Sequence, residues 1–276
     1  MLPTEPKPLY LWNGHNYENN STPQFQWALQ ALDSLDKHLL KDAHNILDLG
    51  CGIGDLAHTL TVLAPNASIV GLDISDTMIT KAQEKYSSNR QLHFVVGDAH
   101  RLPYEYNNTF DYIISTNAFH WMRDKQAVWN SIARCLKPNG IVLVDTSAQS
   151  SEPEPILAIF TNVASRPEWQ PYFKNNSFQS VNDELSLLDA TQVKPMLKEA
   201  GLNLETLTEE ITLTTEFKNI SQFVDWLSPI AKTYADFRLL SNDHQTKFLT
   251  ESVTAYNSLT FSIPHNVLIM AKLILR

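Results

Sequence analysis

The chain is poor in cysteine. It has 2 in 276 residues, Cys51 and Cys135, so neither a disulfide framework nor a cysteine metal cluster is suggested. Basic residues are in deficit: 21 Lys and Arg face 30 Asp and Glu, for a formal charge of −9. A nucleic-acid partner would usually require a basic face, and this balance argues against one. No apolar run approaches the roughly 18–20 residues of a membrane span, and the polar, Pro-rich first residues carry no apolar signal core. A soluble, reducing, cytoplasmic setting is the expectation. Internal repeats and low-complexity tracts are absent too. The length suffices to bury a full core, as one large domain or one domain with an elaborated cap. Glycine is scarce, 8 in all, yet Gly50, Gly52 and Gly54 crowd into one short stretch.

Those three close the run Ile46-Leu47-Asp48-Leu49-Gly50-Cys51-Gly52-Ile53-Gly54. An apolar strand there runs into a glycine turn, with a carboxylate just ahead of it. Glycines after a strand allow a tight turn into the next helix and let backbone approach a ligand closely. A dinucleotide site places its third glycine one position later, in the order G-x-G-x-x-G/A; this chain has Asp55 there. Asp48 and Asp55 would both lie near a bound pyrophosphate, where like charge is costly. A nicotinamide-dependent dehydrogenase is therefore disfavoured. The same carboxylates suit a ligand that brings positive charge and no phosphate. S-adenosylmethionine, with its sulfonium and ammonium groups, fits that description.

Residues 45–146 alternate strand and helix. Asn45–Leu49 reads as the first strand, and Leu56, Leu60 and Leu63 recur at helical spacing until Pro65. Ser68–Leu72 is a second strand ending on Asp73, followed by a helix that Ser75 can cap, with Met78, Ile79, Ala82 and Tyr86 on one face. Leu92–Val96 and Tyr112–Ser115 are the third and fourth strands. Asp124 can cap a helix through Cys135, Lys137-Pro138-Asn139-Gly140 reads as a turn, and Ile141–Val144 is the fifth strand. Strands this apolar, separated by helices, imply an α/β fold with a mostly parallel, doubly wound sheet. Ligands then bind beyond the carboxyl ends of the strands, beside the first one.

Acidic residues fall at those ends. Asp73 lies about twenty residues past the glycine turn, where a carboxylate can accept from ribose hydroxyls. Asp98 follows the third strand and can accept from an adenine amino group, while Ala99 leaves room for the ring. Each Asp taken singly reads more simply as a helix cap or loop solubiliser; three strand ends so equipped argue against coincidence. Met78 can pack on an adenine or simply fill the core.

Taken together, the motifs resemble those of class I S-adenosylmethionine-dependent methyltransferases of the small-molecule type. The matching stretches are Leu47–Gly54, Gly71-Leu72-Asp73-Ile74-Ser75, Gly97-Asp98-Ala99, Phe110-Asp111-Tyr112-Ile113 and Leu136–Gly140. The resemblance implies seven strands, with the last antiparallel; Leu202–Leu213 and Val267–Leu275 are the candidates for the final two, after a helix from about Thr191 to Ala200 stopped by Gly201. It also implies that Asp48, Gly50, Cys51, Gly52, Asp73, Ile74, Met78, Asp98 and Ala99 hold the cofactor. Three further stretches resemble the trans-aconitate and juvenile hormone acid carboxyl methyltransferases. The first is Trp12…Tyr17…Gln24…Trp27, where a Tyr and a Gln close over the cofactor in that group. The second is Ser115-Thr116-Asn117-Ala118-Phe119-His120-Trp121, which adds Asn117, and the third is Glu168–Phe173. One domain is expected over 1–276. It comprises an N-terminal helical lid over 1–40, a cofactor core over 40–146, and substrate-cap insertions over 150–190 and 217–260.

Methyl transfer needs a nucleophile in line with the sulfonium methyl. A carboxylate acceptor is already ionised near neutral pH, since such groups have pKa values of about 4, and needs no base. An amine or carbon acid would need one, and only His120 sits at a suitable position, as base or as orienter of a carboxylate. Trp121 can wall the acceptor site or merely pack; an aromatic face also stabilises a nearby cation. Trp169, Tyr172, Phe173 and Trp226 read either as an apolar lid or as the insertions' own small core, and Phe223/Trp226/Leu227 at helical spacing favour the core. The expected partner is a small-molecule acceptor, most simply an acid made into its methyl ester. A malonyl group on an acyl-carrier protein, an N, O or C atom of another metabolite, and a cofactor-binding scaffold without catalysis are the alternatives. The net charge of −9 gives a carrier-protein partner little help. Oligomeric state is not legible.

Overall fold

The computed structural model of the chain describes residues 22–149, 155–173, 187–234, 237 and 240–273. Tyr17, expected to close over the cofactor, lies outside these residues. Two short helices, α1 (Thr22–Leu32) and α2 (Lys37–Lys41), lead into β1 (Asn45–Leu49). Then α3 (Asp55–Leu63), β2 (Ser68–Asp73), α4 (Asp76–Lys85) and β3 (Leu92–Val96) follow in alternation. Next come β4 (Phe110–Thr116), α5 (Lys125–Cys135) and β5 (Leu136–Ser147). The seven strands form one sheet in the order β3-β2-β1-β4-β5-β7-β6. Its first five members are parallel; β7 (Thr260–Leu273) runs antiparallel between β5 and β6 (Leu202–Glu216). The doubly wound α/β fold with a reversed last strand is therefore the one the motifs imply.

Local chemistry explains the boundaries. Ser75 caps α4 by accepting from the Met78 backbone at 3.3 Å, and Asp124 caps α5 through the Ala127 backbone at 3.0 Å. The helix before β6, α8 (Ala190–Ala200), starts on Asp189 and ends at Gly201 with φ +80°, the left-handed stop that glycine takes without steric cost. One expectation is corrected. Lys137–Gly140 does not separate β5 from the preceding helix; it lies inside the strand as an irregularity, with register passing from Phe110↔Leu136 to Tyr112↔Ile141. Asn139 at φ +66° absorbs the extra length, and Lys137 ties the bulge to Asp111 of β4 at 2.8 and 2.9 Å. Strands β4, β6 and β7 also extend beyond the apolar runs that announce them.

Two apolar layers cover the sheet. On one face Ile46, Ile69, Ile114 and Leu143 pack against α1, α3 and α4 through Ala28, Leu32, Leu60 and Ala82. On the other, Ile113, Val142 and Val144 pack against α5 and α8 through Trp129, Ile132, Val193 and Leu197. A third cluster is separate. It joins α6 (Pro155–Ala164), the short α7 (Gln170–Phe173), α9 (Ile220–Tyr234) and α10 (Asn242–Tyr256) around Phe160, Trp169, Phe223, Trp226 and Phe248. Trp169, Phe173 and Trp226 are thus buried in this cluster, which also takes in Trp27 of α1 and Phe261 of β7, and Trp169 donates from its ring nitrogen to Glu251 at 2.8 Å. No helix among the described residues is long and apolar enough to cross a membrane.

Candidate active site

The glycine turn hangs on the neighbouring strand. Gly50 and Cys51 both donate their backbone N–H to the Leu72 carbonyl, at 2.7 and 3.1 Å. Gly50 has φ +81°, and a Cβ there would meet the Ala118 Cβ at 2.3 Å. Glycine at this position therefore also serves the close approach of the loop after β4. Gly52 has φ +52°, and its N–H donates to Asp73 Oδ2 at 3.0 Å while Ser75 N–H donates to Oδ1 at 2.9 Å. Asp73 thus binds β2, the glycine turn and the start of α4 into one rim. Burial raises its carboxyl above the usual range, against the lowering effect of those backbone hydrogen bonds.

Asp48 lies beneath the turn, 1% exposed. Burial first, then the neighbouring Asp73, pushes its carboxyl up to about 8. Its Oδ2 has no hydrogen-bond partner among the described residues, an arrangement that is costly unless something else completes it. Asp55 differs from expectation. Its carboxylate is paired with Lys85 at 2.6 Å and accepts from the Tyr86 hydroxyl at 2.5 Å, so its charge is largely compensated at the start of α3.

Between the turn and the end of β4 lies a cleft that is open to solvent. It brings together five expected residues, Gln24, Asp48, Gly50, Cys51 and Gly52, with Asn117 as a sixth. Asn117, at φ +53°, donates from its side chain to the Gln24 carbonyl at 3.2 Å, and Gln24 Oε1 accepts from the Trp226 ring nitrogen at 3.2 Å. The cleft wall is thereby fastened to both the sheet and the third cluster. Ile74, 40% exposed, follows Asp73 on the rim, and Met78 is buried at the start of α4. Asp98 and Ala99 stand just past the end of β3 and are not among the residues that line the cleft. Asp98 Oδ1 accepts from the His100 backbone at 2.9 Å and lies 2.6 Å from the His100 ring. Burial opposes ionisation of Asp98, but these contacts and Arg101 outweigh it and hold the carboxyl below its ordinary value. Ala99 is packed in the core beside Leu102.

His120 and Trp121 lie on a single turn, Phe119–Trp121, just past β4, with ring centroids 5.3 Å apart. His120 Nδ1 is 3.2 Å from Thr146 Oγ1 of β5. Burial, and then the charge of Lys125, push the imidazole down to about 3. It is neutral at physiological pH and a poor proton acceptor. Lys125 itself is buried and donates from Nζ to the Phe119 carbonyl at 2.9 Å and to the Met122 carbonyl, clamping the turn. Burial pushes this ammonium down to about 7. The sequence reading missed Lys125 and also Asp145, a buried carboxyl near the end of β5. The pattern that picks out Asp48, Asp73 and Asp98, an acid closing an apolar strand, applies to Asp145 as well.

The strand order, the glycine turn after β1 and the carboxylate closing β2 define a doubly wound α/β fold, a class in which ligands bind beyond the carboxyl ends of the strands. The family described as "Methyltransferase domain" matches residues 40–201, more than half the chain, and the chain belongs to it. It is an S-adenosylmethionine-dependent methyltransferase of class I. It is similar to malonyl-[acyl-carrier protein] O-methyltransferase 2 of Ilyobacter polytropus, 33% identical over 106 residues, which span 38% of this chain and 40% of that one. The malonyl-[acyl-carrier protein] O-methyltransferase of Halalkalibacterium halodurans is 23% identical over 260 residues, covering 87% of this chain and 89% of the relative. Among solved structures, phosphoethanolamine N-methyltransferase 2 of Haemonchus contortus in complex with S-adenosyl-L-methionine has a TM-score of 0.59 at 16% identity. That match covers 97% of this chain and 59% of the other, and it shows the shared fold.

Proposed function

We propose that the cleft beneath Gly50–Gly54 is the S-adenosylmethionine site and that the enzyme methylates a carboxylate oxygen, yielding a methyl ester. The residues fit the cofactor: Asp73 lies on the rim, and Asp48, buried with one unpartnered oxygen, gains negative charge as a ligand that carries cationic groups and no phosphate draws off its proton. Gln24, Cys51, Gly52, Ile74, Met78, Asn117 and, at the β3 end, Asp98 and Ala99 complete the proposed cofactor contacts, with Tyr17 from the N-terminal stretch. When bound, the cofactor supplies an electrophilic methyl group on sulfur.

The observation that carries the acceptor reading is the state of His120. The imidazole beside the methyl-facing end of β4 is held near 3, too weak a base to activate an amine or a carbon acid at neutral pH. An acceptor that arrives ionised needs no such help, so positioning suffices, and orientation alone lowers a barrier by as much as roughly 7–11 kcal/mol. His120 then orients the acceptor and Trp121 walls its site, with the third cluster as the substrate cap. A malonyl group held as a thioester presents one free carboxylate, which agrees with the O-methyltransferase relatives. The three short stretches that resemble trans-aconitate and juvenile hormone acid methyltransferases agree with an acid acceptor, although the relatives matched above are malonyl-[acyl-carrier protein] O-methyltransferases and not members of those two groups.

The test is incubation with methyl-labelled S-adenosylmethionine and malonyl-pantetheine beside a panel of small organic and fatty acids, followed by mild base. Label released as methanol is expected; label on a base-resistant product overturns carboxyl transfer. A second measurement addresses the cofactor alone. Asp48 is largely protonated at pH 7, and a cationic ligand favours its ionised form. Binding should therefore expel up to about one proton near pH 7 and tighten as pH rises toward 8. Calorimetry in buffers of different ionisation enthalpy reads the proton directly, and equal heats in all of them would contradict the assignment of Asp48.

A further inference from the structure

Asp145 is a buried carboxyl that nothing in the cofactor site uses. It is 3% exposed, and its Oδ2 has no hydrogen-bond partner among the described residues. Its place in the sheet is defined by register: Thr116, which lines the cleft, is its partner on β4, and Leu268 its partner on β7. Its backbone carbonyl accepts from the N–H of Asn117, another cleft residue, at 3.0 Å. Alternation along β5 sets Asp145 on the face of Leu143, the face that α1 covers. Two residues on, Ser147 donates to Asn266 Oδ1 at 3.1 Å. The Asn266 amide nitrogen, in a residue 2% exposed, is again without a partner. An orphaned acid and an orphaned donor thus share one sheet face, beside the cleft and on the β5–β7 side of the glycine turn.

Resting on the carboxylate reading above, we propose that Asp145 in its protonated form and the Asn266 amide are the paired donors that seat the acceptor's carboxylate. A neutral carboxylic acid donates a strong, charge-assisted hydrogen bond to a carboxylate, and the amide N–H supplies a second. The surroundings keep the acid neutral. Burial alone pushes Asp145 up to about 7. Helix α1, Thr-Pro-Gln-Phe-Gln-Trp-Ala-Leu-Gln-Ala-Leu, brings no titratable side chain to this face. The adjacent strands bring Thr116, Leu268 and Asn266; Asp48 lies on the same face of β1 beyond Ile114, and His120 is on the other side through Thr146. A seated anion raises Asp145 further, because ionising it would set two negative charges together. The seat is therefore complete below about pH 7 and is lost as Asp145 ionises above it.

Calorimetric titration of monoethyl malonate into the S-adenosylhomocysteine complex tests this, since the single carboxylate of that probe stays ionised from pH 6 to 9. The expected dissociation constant is about 100-fold larger at pH 9 than at pH 6, following one titrating group. Asp145→Asn, which keeps a donor and cannot ionise, should restore binding at pH 9 to near its pH 6 value. Asp145→Ala should weaken binding at pH 6 more than tenfold. Binding that is absent throughout, indifferent to pH, stronger at high pH, or unchanged in Asp145→Ala overturns the seat; the rise at high pH would instead mark Asp145 as a proton acceptor. The labelling experiment separates this outcome from failure of the carboxyl-transfer reading. A chain that forms base-labile ester but binds the probe without regard to Asp145 loses only the seat. A chain that binds the probe through Asp145 but labels a base-resistant product loses the ester reading.

Discussion

Gly52→Val is expected to abolish S-adenosylmethionine binding while leaving a folded protein. Gly52 sits at φ +52°, where a β-branched residue is a steric outlier. Its N–H is one of the two that hold Asp73. Valine there strains the turn, displaces that N–H, and places methyl groups on the wall of the cleft. The strain is confined to a loop, because the sheet face beneath is packed by Ile46, Ile69 and Ile114 independently of it. Circular dichroism should match the parent, and equilibrium dialysis should find no bound cofactor. Retained binding would show that this turn is not the cradle.

Asp73→Ala is expected to weaken cofactor affinity by about tenfold to a hundredfold. Two carboxylate hydrogen bonds of roughly 1.5 kcal/mol each correspond to about two decades if both are lost and one if water replaces one of them. The substitution also frees the Gly52 and Ser75 N–H groups that Asp73 now accepts from at 3.0 and 2.9 Å. Part of the loss is therefore loosening of the rim. Asp73→Asn separates the two causes in part, since its single amide oxygen keeps one of the two backbone hydrogen bonds and carries no charge. Unchanged affinity for the alanine variant in calorimetry would remove Asp73 from the cofactor site.

The parallel core was legible because each of its signals is local. A cap such as Ser75, a stop such as Gly201 and the short apolar runs of β1, β2 and β3 are set by neighbours within a few residues. The Lys137–Gly140 bulge was not, because what keeps that turn-forming sequence in a strand is the pairing of Lys137 with Asp111, distant along the chain. The same limit applies to the site. Asp48, Asp73 and the glycines were readable from their places at strand ends, and Gln24 and Asn117 from a short resemblance. Three features needed the fold itself: the engagement of Asp55 by Lys85, the demand of Ala118 on Gly50, and the burial that makes His120 a poor base. Charge compensation and desolvation belong to a residue's spatial neighbours, which spacing alone does not name.

Gln24 gives one mechanical consequence. Its carbonyl is tied to Asn117 at the end of β4 and its side chain to Trp226 in the aromatic cluster of α9. Moving α1 away from the end of β4 must break the second tie along with the first. The cleft wall and the aromatic cluster are therefore coupled through a single residue.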